Sequence, residues 1–126
     1  MADYTRVYCS DDGISHFEEL DFDYTESSGA QTPRARGVEA ASASPGNVLG
    51  AVFRRFARGN SGKHPAPRKQ YAIVLTGSLV IQTGDGEERS FGPGQVLLFD
   101  DTSGEGHLST FSSDEHCKAL LIPIGD

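Results

Sequence analysis

No stretch of the chain approaches the ~20 consecutive apolar residues that a membrane span requires, and the opening Met1-Ala2-Asp3-Tyr4 lacks the basic-then-apolar pattern of a secretory signal. The expectation is a soluble protein of the cytoplasm. Cysteine is scarce: Cys9 and Cys117 lie near opposite ends, too few for a disulfide scaffold or a zinc cage, and read as ordinary buried thiols. Basic residues are in the minority, 11 Lys and Arg against 18 Asp and Glu, for a net charge of −7. That balance argues against a general nucleic-acid binder, which needs a basic face to collect phosphates. Tyr4, Tyr8, Tyr24 and Tyr71 are scattered, without the aromatic and basic interleaving of a single-strand platform. The chain also lacks a P-loop, a GxGxxG turn between strand and helix, a G-x-S-x-G elbow, a CxxC pair, an internal repeat and any helical pattern.

What is present suits one compact domain over residues 1–126, with 37% hydrophobic residues and 15 Gly and 6 Pro that punctuate short elements. Thr5 to Ser10 is β-prone and stops at the turn signal Asp11-Asp12-Gly13. Leu20, Phe22 and Tyr24 alternate with Asp21 and Asp23, the period of a strand with one buried face. N-terminal strands are thus expected within 1–24. Residues 25–46 are rich in Ser, Ala, Gly and Pro without an apolar period, so they read as a long loop, either a lid over a site or a segment without function. Val48 to Ala57 reads as a strand and Arg58-Gly59-Asn60-Ser61-Gly62 as a turn. Gln70 to Thr76, Ser78 to Thr83, Glu88 to Phe91, Gln95 to Asp100, His107 to Phe111 and His116 to Ile124 complete the strands, with a tight hairpin at Gly84-Asp85-Gly86. Many short strands with Gly-rich turns indicate an all-β sandwich or barrel.

Charge is unevenly spread. Eight of the eleven Lys and Arg fall between Arg34 and Lys69, where Glu39 is the only acid. One reading pairs this basic segment with the acidic run Glu18-Glu19-Leu20-Asp21-Phe22-Asp23 across neighbouring strands. The other makes it a field that attracts an anionic small molecule.

Local motifs go further. Residues from about 48 to 124 resemble the cupin family, whose first motif reads G-x5-H-x-H-x3-4-E-x6-G and whose second reads G-x5-P-x-G-x2-H-x3-N. His64 stands for the first histidine, Ala66 for the second, Gln70 for the glutamate and Gly77 for the closing glycine, with the leading glycine displaced to Gly59. In the second motif Gly94 opens, Thr102 replaces proline, Gly104 and His107 keep the G-x2-H spacing and Phe111 takes the asparagine position. Between Gly94 and Thr102 this chain is two residues longer than the pattern. The resemblance implies an all-β, single-domain, cupin-like jelly-roll barrel over 48–124 and a homodimer that pairs through Thr5 to Ser10 and the Leu20 to Tyr24 strand. It also implies a metal set reduced here to His64, Gln70 and His107. Losing one imidazole and the anionic ligand should cut affinity for a divalent ion steeply. His16, His116, Asp100 and Asp101 are the candidates to compensate.

If the barrel holds, the strand period aims His64, Ala66, Arg68, Gln70, Ala72 and Val74 to its interior. A polar cluster in an apolar cup is the usual design of a small-molecule pocket. His64, His107, Asp100 and Asp101 are then the acid–base candidates, and Arg68, Gln70, Tyr71 and Thr102 the substrate-binding ones. For each a structural role stands beside the functional one: Asp101-Thr102-Ser103-Gly104 also suits an Asx-type turn, and Arg68 also suits an exterior ion pair. The leading expectation is proton-transfer chemistry on a small organic, in one version anionic, molecule: isomerisation, cyclisation, elimination or decarboxylation, with no cofactor required. One rival is a metal-dependent oxygenase or lyase in which His64, Gln70 and His107 hold iron, manganese, zinc or nickel. The other is a binding or sensing module without turnover.

Overall fold

The computed structural model describes residues 2–26 and 40–125, which form strands and connecting turns without a helix. In chain order the strands are β1 (Tyr4–Cys9), β2 (Ser15–Leu20), β3 (Thr25–Glu26), β4 (Ala41–Ser42), β5 (Asn47–Val48), β6 (Val52–Phe56) and β7 (Gly59–His64). They continue with β8 (Gln70–Thr76), β9 (Leu79–Gln82), β10 (Glu88–Phe91), β11 (Val96–Asp100), β12 (His107–Phe111) and β13 (Cys117–Gly125).

Two sheets face each other. One runs β2-β1-β11-β8-β13, with β6 and β5 both paired to β13; the other runs β10-β9-β12-β7. From β6 onward the chain switches sheet at every strand except from β9 to β10, so β6-β13-β8-β11 packs over β7-β12-β9-β10. This double Greek key is the jelly-roll order. The fold is therefore an all-β jelly roll, extended by β1, which pairs in parallel with β11, and by β2, which pairs antiparallel with β1 at the sheet edge.

The elements follow from local chemistry. Tyr71, Ala72 and Val74 in β8 and Leu97, Leu98 and Phe99 in β11 are buried on both faces, as near-continuous apolar runs of central strands should be. Between β9 and β10 the chain reverses at Thr83 to Glu87, where the Thr83 N–H donates to the Glu87 carbonyl and Gly86 takes φ +91°. Val7, Ile81 and Phe91, with Phe17 against them, lie in the filled part of the interior, outside the cavity lining. At the other end the inward positions are small, Ala66, Ala72 and Ala119, and the interior is hollow.

Four expectations are corrected. The second strand is Ser15–Leu20, and Phe22 lies beyond it, stacked on Tyr4 at 4.6 Å between ring centroids. Val48 to Ala57 divides into β5 and β6. The Gly59 to Gly62 turn is the first part of β7, an exposed edge strand held by its pairing with β12, with a register shift where the Ser61 hydroxyl accepts from the Ser109 N–H. Nor, among the described residues, does the acidic run pair with the basic segment: Glu18 binds Arg6, and Glu19 binds Arg89. The part of the expected lid at 27–39 lies outside the described residues. Among the described residues no helix is long and apolar enough to cross a membrane.

Candidate functional site

A cavity of about 270 Å³ occupies the hollow end between the sheets. Its apolar lining includes Ala72, Val74, Leu97, Ala119 and Leu121 from the larger sheet, and Phe56 and Phe111, which stack at 4.4 Å across the gap between the two sheets. Into this surface project a few polar side chains: Ser61 and His64 from β7, Gln70 from β8, His107 and Ser109 from β12, and Arg54 from β6. Few, convergent polar groups in an apolar cup provide orientation without making the cup too well hydrated to bind.

The most constrained of them is His107. Its side chain is buried, its ring stacks on Phe99 at 4.8 Å, and its Nδ1 lies 2.5 Å from Asp101 Oδ2. Asp101 is fully buried behind the imidazole. A carboxylate only accepts, so Nδ1 carries the proton and Nε2 is left as the atom available to the cavity. Removing a carboxylate from water is costly unless it is paired, and His107 is the only side chain bonded to it among the described residues; Asp101 Oδ1 has no partner there. The loop that makes the turn from Asp101 to His107 is pinned at both ends. The Ala66 N–H donates to the Asp101 carbonyl at 2.9 Å, and the Ser15 hydroxyl donates to the Gly106 carbonyl at 2.6 Å.

His64 faces His107 across the β7–β12 pair, with ring centroids 5.5 Å apart. Its Nδ1 sits 2.9 Å from the Pro65 carbonyl, an acceptor, so its Nε2 is likewise the unpaired nitrogen. Gly106 makes this approach possible: it adopts φ +80° and lies directly against the His64 and Pro65 backbone.

The expected residues thus divide. His64, Gln70, His107 and, behind it, Asp101 come together. Asp100 does not: it points to the opposite face and binds Arg6 at 2.8 Å. Burial opposes the charge on Arg6, but hydrogen bonds to Asp100 and Glu18 outweigh it and hold the guanidinium pKa above its ordinary value. Tyr71 also faces away, against Tyr4 and Phe22, and burial, with Tyr4 beside it, raises its phenol. Thr102 is exposed on its loop and lines nothing. Arg68 is exposed and outside the lining, because the chain between Pro65 and Lys69 is not strand and the two-residue period does not run through it. Several cavity residues escaped the sequence reading, Ser61 and Ser109 among them. Arg54 lines the cavity through the inward face it shares with Phe56. Cys117 lines it as a thiol whose pKa burial pushes up, so it stays protonated.

The donor set does not fit a tight divalent metal centre. It offers two imidazoles and a neutral amide, with the one nearby carboxylate committed to His107, and no group of three or more His, Cys, Asp or Glu converges among the described residues. His16 is held by Asp85 and Ser10, and His116 is exposed, both away from the lining.

No family model matches the chain, and no curated protein matches it. Among solved structures it is similar to the polyketide cyclase RemF from Streptomyces resistomycificus, at 21% identity over 64% of this chain and 58% of that one, with a TM-score of 0.46. It is also similar to a putative ethanolamine utilization protein Q from Salmonella typhimurium, at 14% identity over 98% and 96% of the two chains, TM-score 0.48. A conserved protein of unknown function from Streptococcus pyogenes aligns at 16% identity over 61% and 76%, TM-score 0.42. The chain spans 58% of the length of the cyclase it resembles.

Proposed function

We propose that the cavity binds a small, mostly apolar carbonyl compound and that His107 moves a proton on it. The observation that carries this reading is the buried Asp101–His107 pair, with the imidazole at the wall of an apolar cavity. In this reaction Nε2 of His107 takes a proton from the carbon next to the carbonyl, and the electron pair moves onto the carbonyl oxygen as an enolate. The Gln70 amide N–H donates to that oxygen. Return of the proton to another atom gives isomerisation; attack of the enolate carbon on a second carbonyl gives cyclisation; loss of a leaving group gives elimination. His64, 5.5 Å away, supplies the second acid–base group. Asp101 is a positioning residue: it fixes the tautomer and stabilises the imidazolium that forms. No step passes through a metal.

The test uses a panel of aryl and alkyl ketones and 1,3-diketones. Binding is followed by ligand-observed NMR and catalysis by deuterium uptake from solvent at the α-carbon. We expect binding that Ala119→Leu abolishes by filling the cavity. We expect exchange that His107→Gln lowers by about 10²-fold or more while affinity changes little. Asp101→Asn should lower exchange less and shift its pH profile, which a purely structural role would not do. Binding without exchange in the native protein would make the chain a ligand-binding module. Binding insensitive to Ala119→Leu would place the ligand elsewhere and overturn the reading.

A further inference from the structure

The cavity has a second functional end. Arg54 on β6 pairs with Ala119 on β13, which pairs in turn with Val74 on β8, so the three share one row of the larger sheet. His107 belongs to a different row: it stacks on Phe99, which pairs with Gln70. Val74 lies four residues along β8 from Gln70, roughly 13 Å at ordinary strand rise. Between these rows the floor is apolar, with Ala72, Leu97 and Leu121 facing the cavity. The ends therefore differ in chemistry: two imidazoles at one, a permanent cation at the other.

Arg54 is the one cation in the lining among the described residues. Its basic neighbours Arg58 and Lys63 are engaged with Asp114 and Glu105, whereas Arg54 forms no ion pair among the described residues. Arg54 is exposed and also lines the cavity, so its guanidinium stays hydrated in the empty protein and remains free to meet a ligand's anionic group. A guanidinium recognises a carboxylate through two parallel N–H donors, a geometry that lysine does not reproduce.

We propose that the ligand is an amphiphilic acid whose carboxylate is held by Arg54 while its apolar body lies along the floor and its reacting carbon reaches His107. Arg54 is then a specificity-determining residue that also sets the ligand's direction in the cavity. The span between the rows, less the reach of the arginine side chain, sets the separation of carboxylate and reacting carbon. In a protein of net charge −7, the single Arg54 cation in the lining among the described residues gives an anion one favourable approach. This inference rests on the cavity being the ligand site proposed above.

The test compares a series of ω-aryl and ω-acyl alkanoic acids of graded length with their neutral primary amides. Calorimetry measures both on the native protein, Arg54→Gln, Arg54→Lys and Ala119→Leu. The native protein should prefer each acid by about tenfold, with a maximum at one chain length and a preference that shrinks as salt rises. Arg54→Gln should erase the preference and leave amide affinity within about twofold, and Arg54→Lys should restore only part of it. Equal affinity for acid and amide in the native protein, or a preference that survives Arg54→Gln, overturns the inference while leaving the cavity reading intact. Failure of both series to bind in a way that Ala119→Leu abolishes overturns the cavity reading, and the inference with it. Arg54 is exposed, so the glutamine variant should keep the native near-ultraviolet dichroism, which separates lost recognition from lost structure.

Discussion

Gly106→Ala should be among the most damaging single-methyl additions in this protein, and its cost can be divided in advance. Gly106 sits at φ +80°, where an L-residue with a Cβ costs about 1–2 kcal/mol. The added Cβ would also overlap the carbonyl of His64 and the nitrogen of Pro65. Those are backbone atoms at a strand end, so no rotamer change relieves the contact; the β7–β12 pair must spread, which costs about 1–3 kcal/mol or more. The expected total is about 2–5 kcal/mol, a large part of the stability of a typical domain. Gly86→Ala is the control, because Gly86 has φ +91° but nothing within 4 Å of the added carbon. It should lose only the backbone term, about 1–2 kcal/mol. Urea unfolding of both variants, with a shared m-value, gives the difference directly, and thermal unfolding should separate them by roughly 4–12 °C at about 4 °C per kcal/mol. Equal losses would show that the close approach of Gly106 to His64 is not a constraint of the native state, and the account of how His64 and His107 are brought together would fall.

Four shorter predictions follow. Burial alone would raise the Asp85 carboxyl, but hydrogen bonds from the Thr83 hydroxyl and the Glu87 N–H, with His16, outweigh it and hold the pKa below the ordinary carboxylate range. A depressed folded-state pKa means stability present above the unfolded value and lost as pH falls through the folded one, so Asp85→Asn should weaken the protein at neutral pH and flatten its acid unfolding limb below about pH 4; an unchanged limb would contradict this. Cys117, kept protonated by burial, should alkylate far more slowly than Cys9, faster in Phe56→Ala and slower with ligand bound, as read by mass spectrometry of the labelled peptides. Protein purified without chelators should carry well under one equivalent of transition metal; near-stoichiometric metal lost in both His64→Ala and His107→Ala would replace metal-free proton transfer by metal chemistry. Ala119→Leu should raise the urea midpoint or leave it unchanged, since the added carbons enter empty space and bury apolar surface worth about 1–2 kcal/mol; a large loss would show that the space is not available.

The barrel was legible where side chains alternate against water. Gln70 to Thr76, Gln95 to Asp100 and the Gly84 hairpin stand close to where composition puts them, because central strands and tight turns are specified locally. β7 was not legible, because Gly59, Asn60, Ser61 and Gly62 offer no apolar face and their strand is held by backbone pairing with β12. The Leu20-Phe22-Tyr24 alternation misled for the opposite reason. It continues past the strand end because Phe22 packs on Tyr4 and Tyr71 from a loop, with Tyr24 edge-on to Phe22.

The site divides along the same line. His64 and His107 were found by their motif spacing, whereas the Asp101–His107 contact depends on a six-residue loop whose course is set by Gly104 and Gly106 at positive φ, which no strand period describes. The strand period that aims Arg68 inward needs a continuous strand from His64 to Gln70, but the chain is not strand between Pro65 and Lys69, and the arginine that lines the cavity is Arg54 on β6. In β6 the run Val52-Phe53-Arg54-Arg55-Phe56 places one phenylalanine and one arginine on each face, so pattern alone assigns no inside. The structure assigns it, with Phe53 77% exposed and Phe56 stacked on Phe111. The hollow itself is the least legible feature of all, since it consists of methyl groups where larger side chains would fit. Ala66, Ala72 and Ala119 satisfy the apolar pattern as well as leucine would, and each leaves packing energy unused. A fold that needed only stability would have filled those positions. That they remain small beside a buried Asp–His pair and a free arginine is what turns a jelly roll into a candidate site.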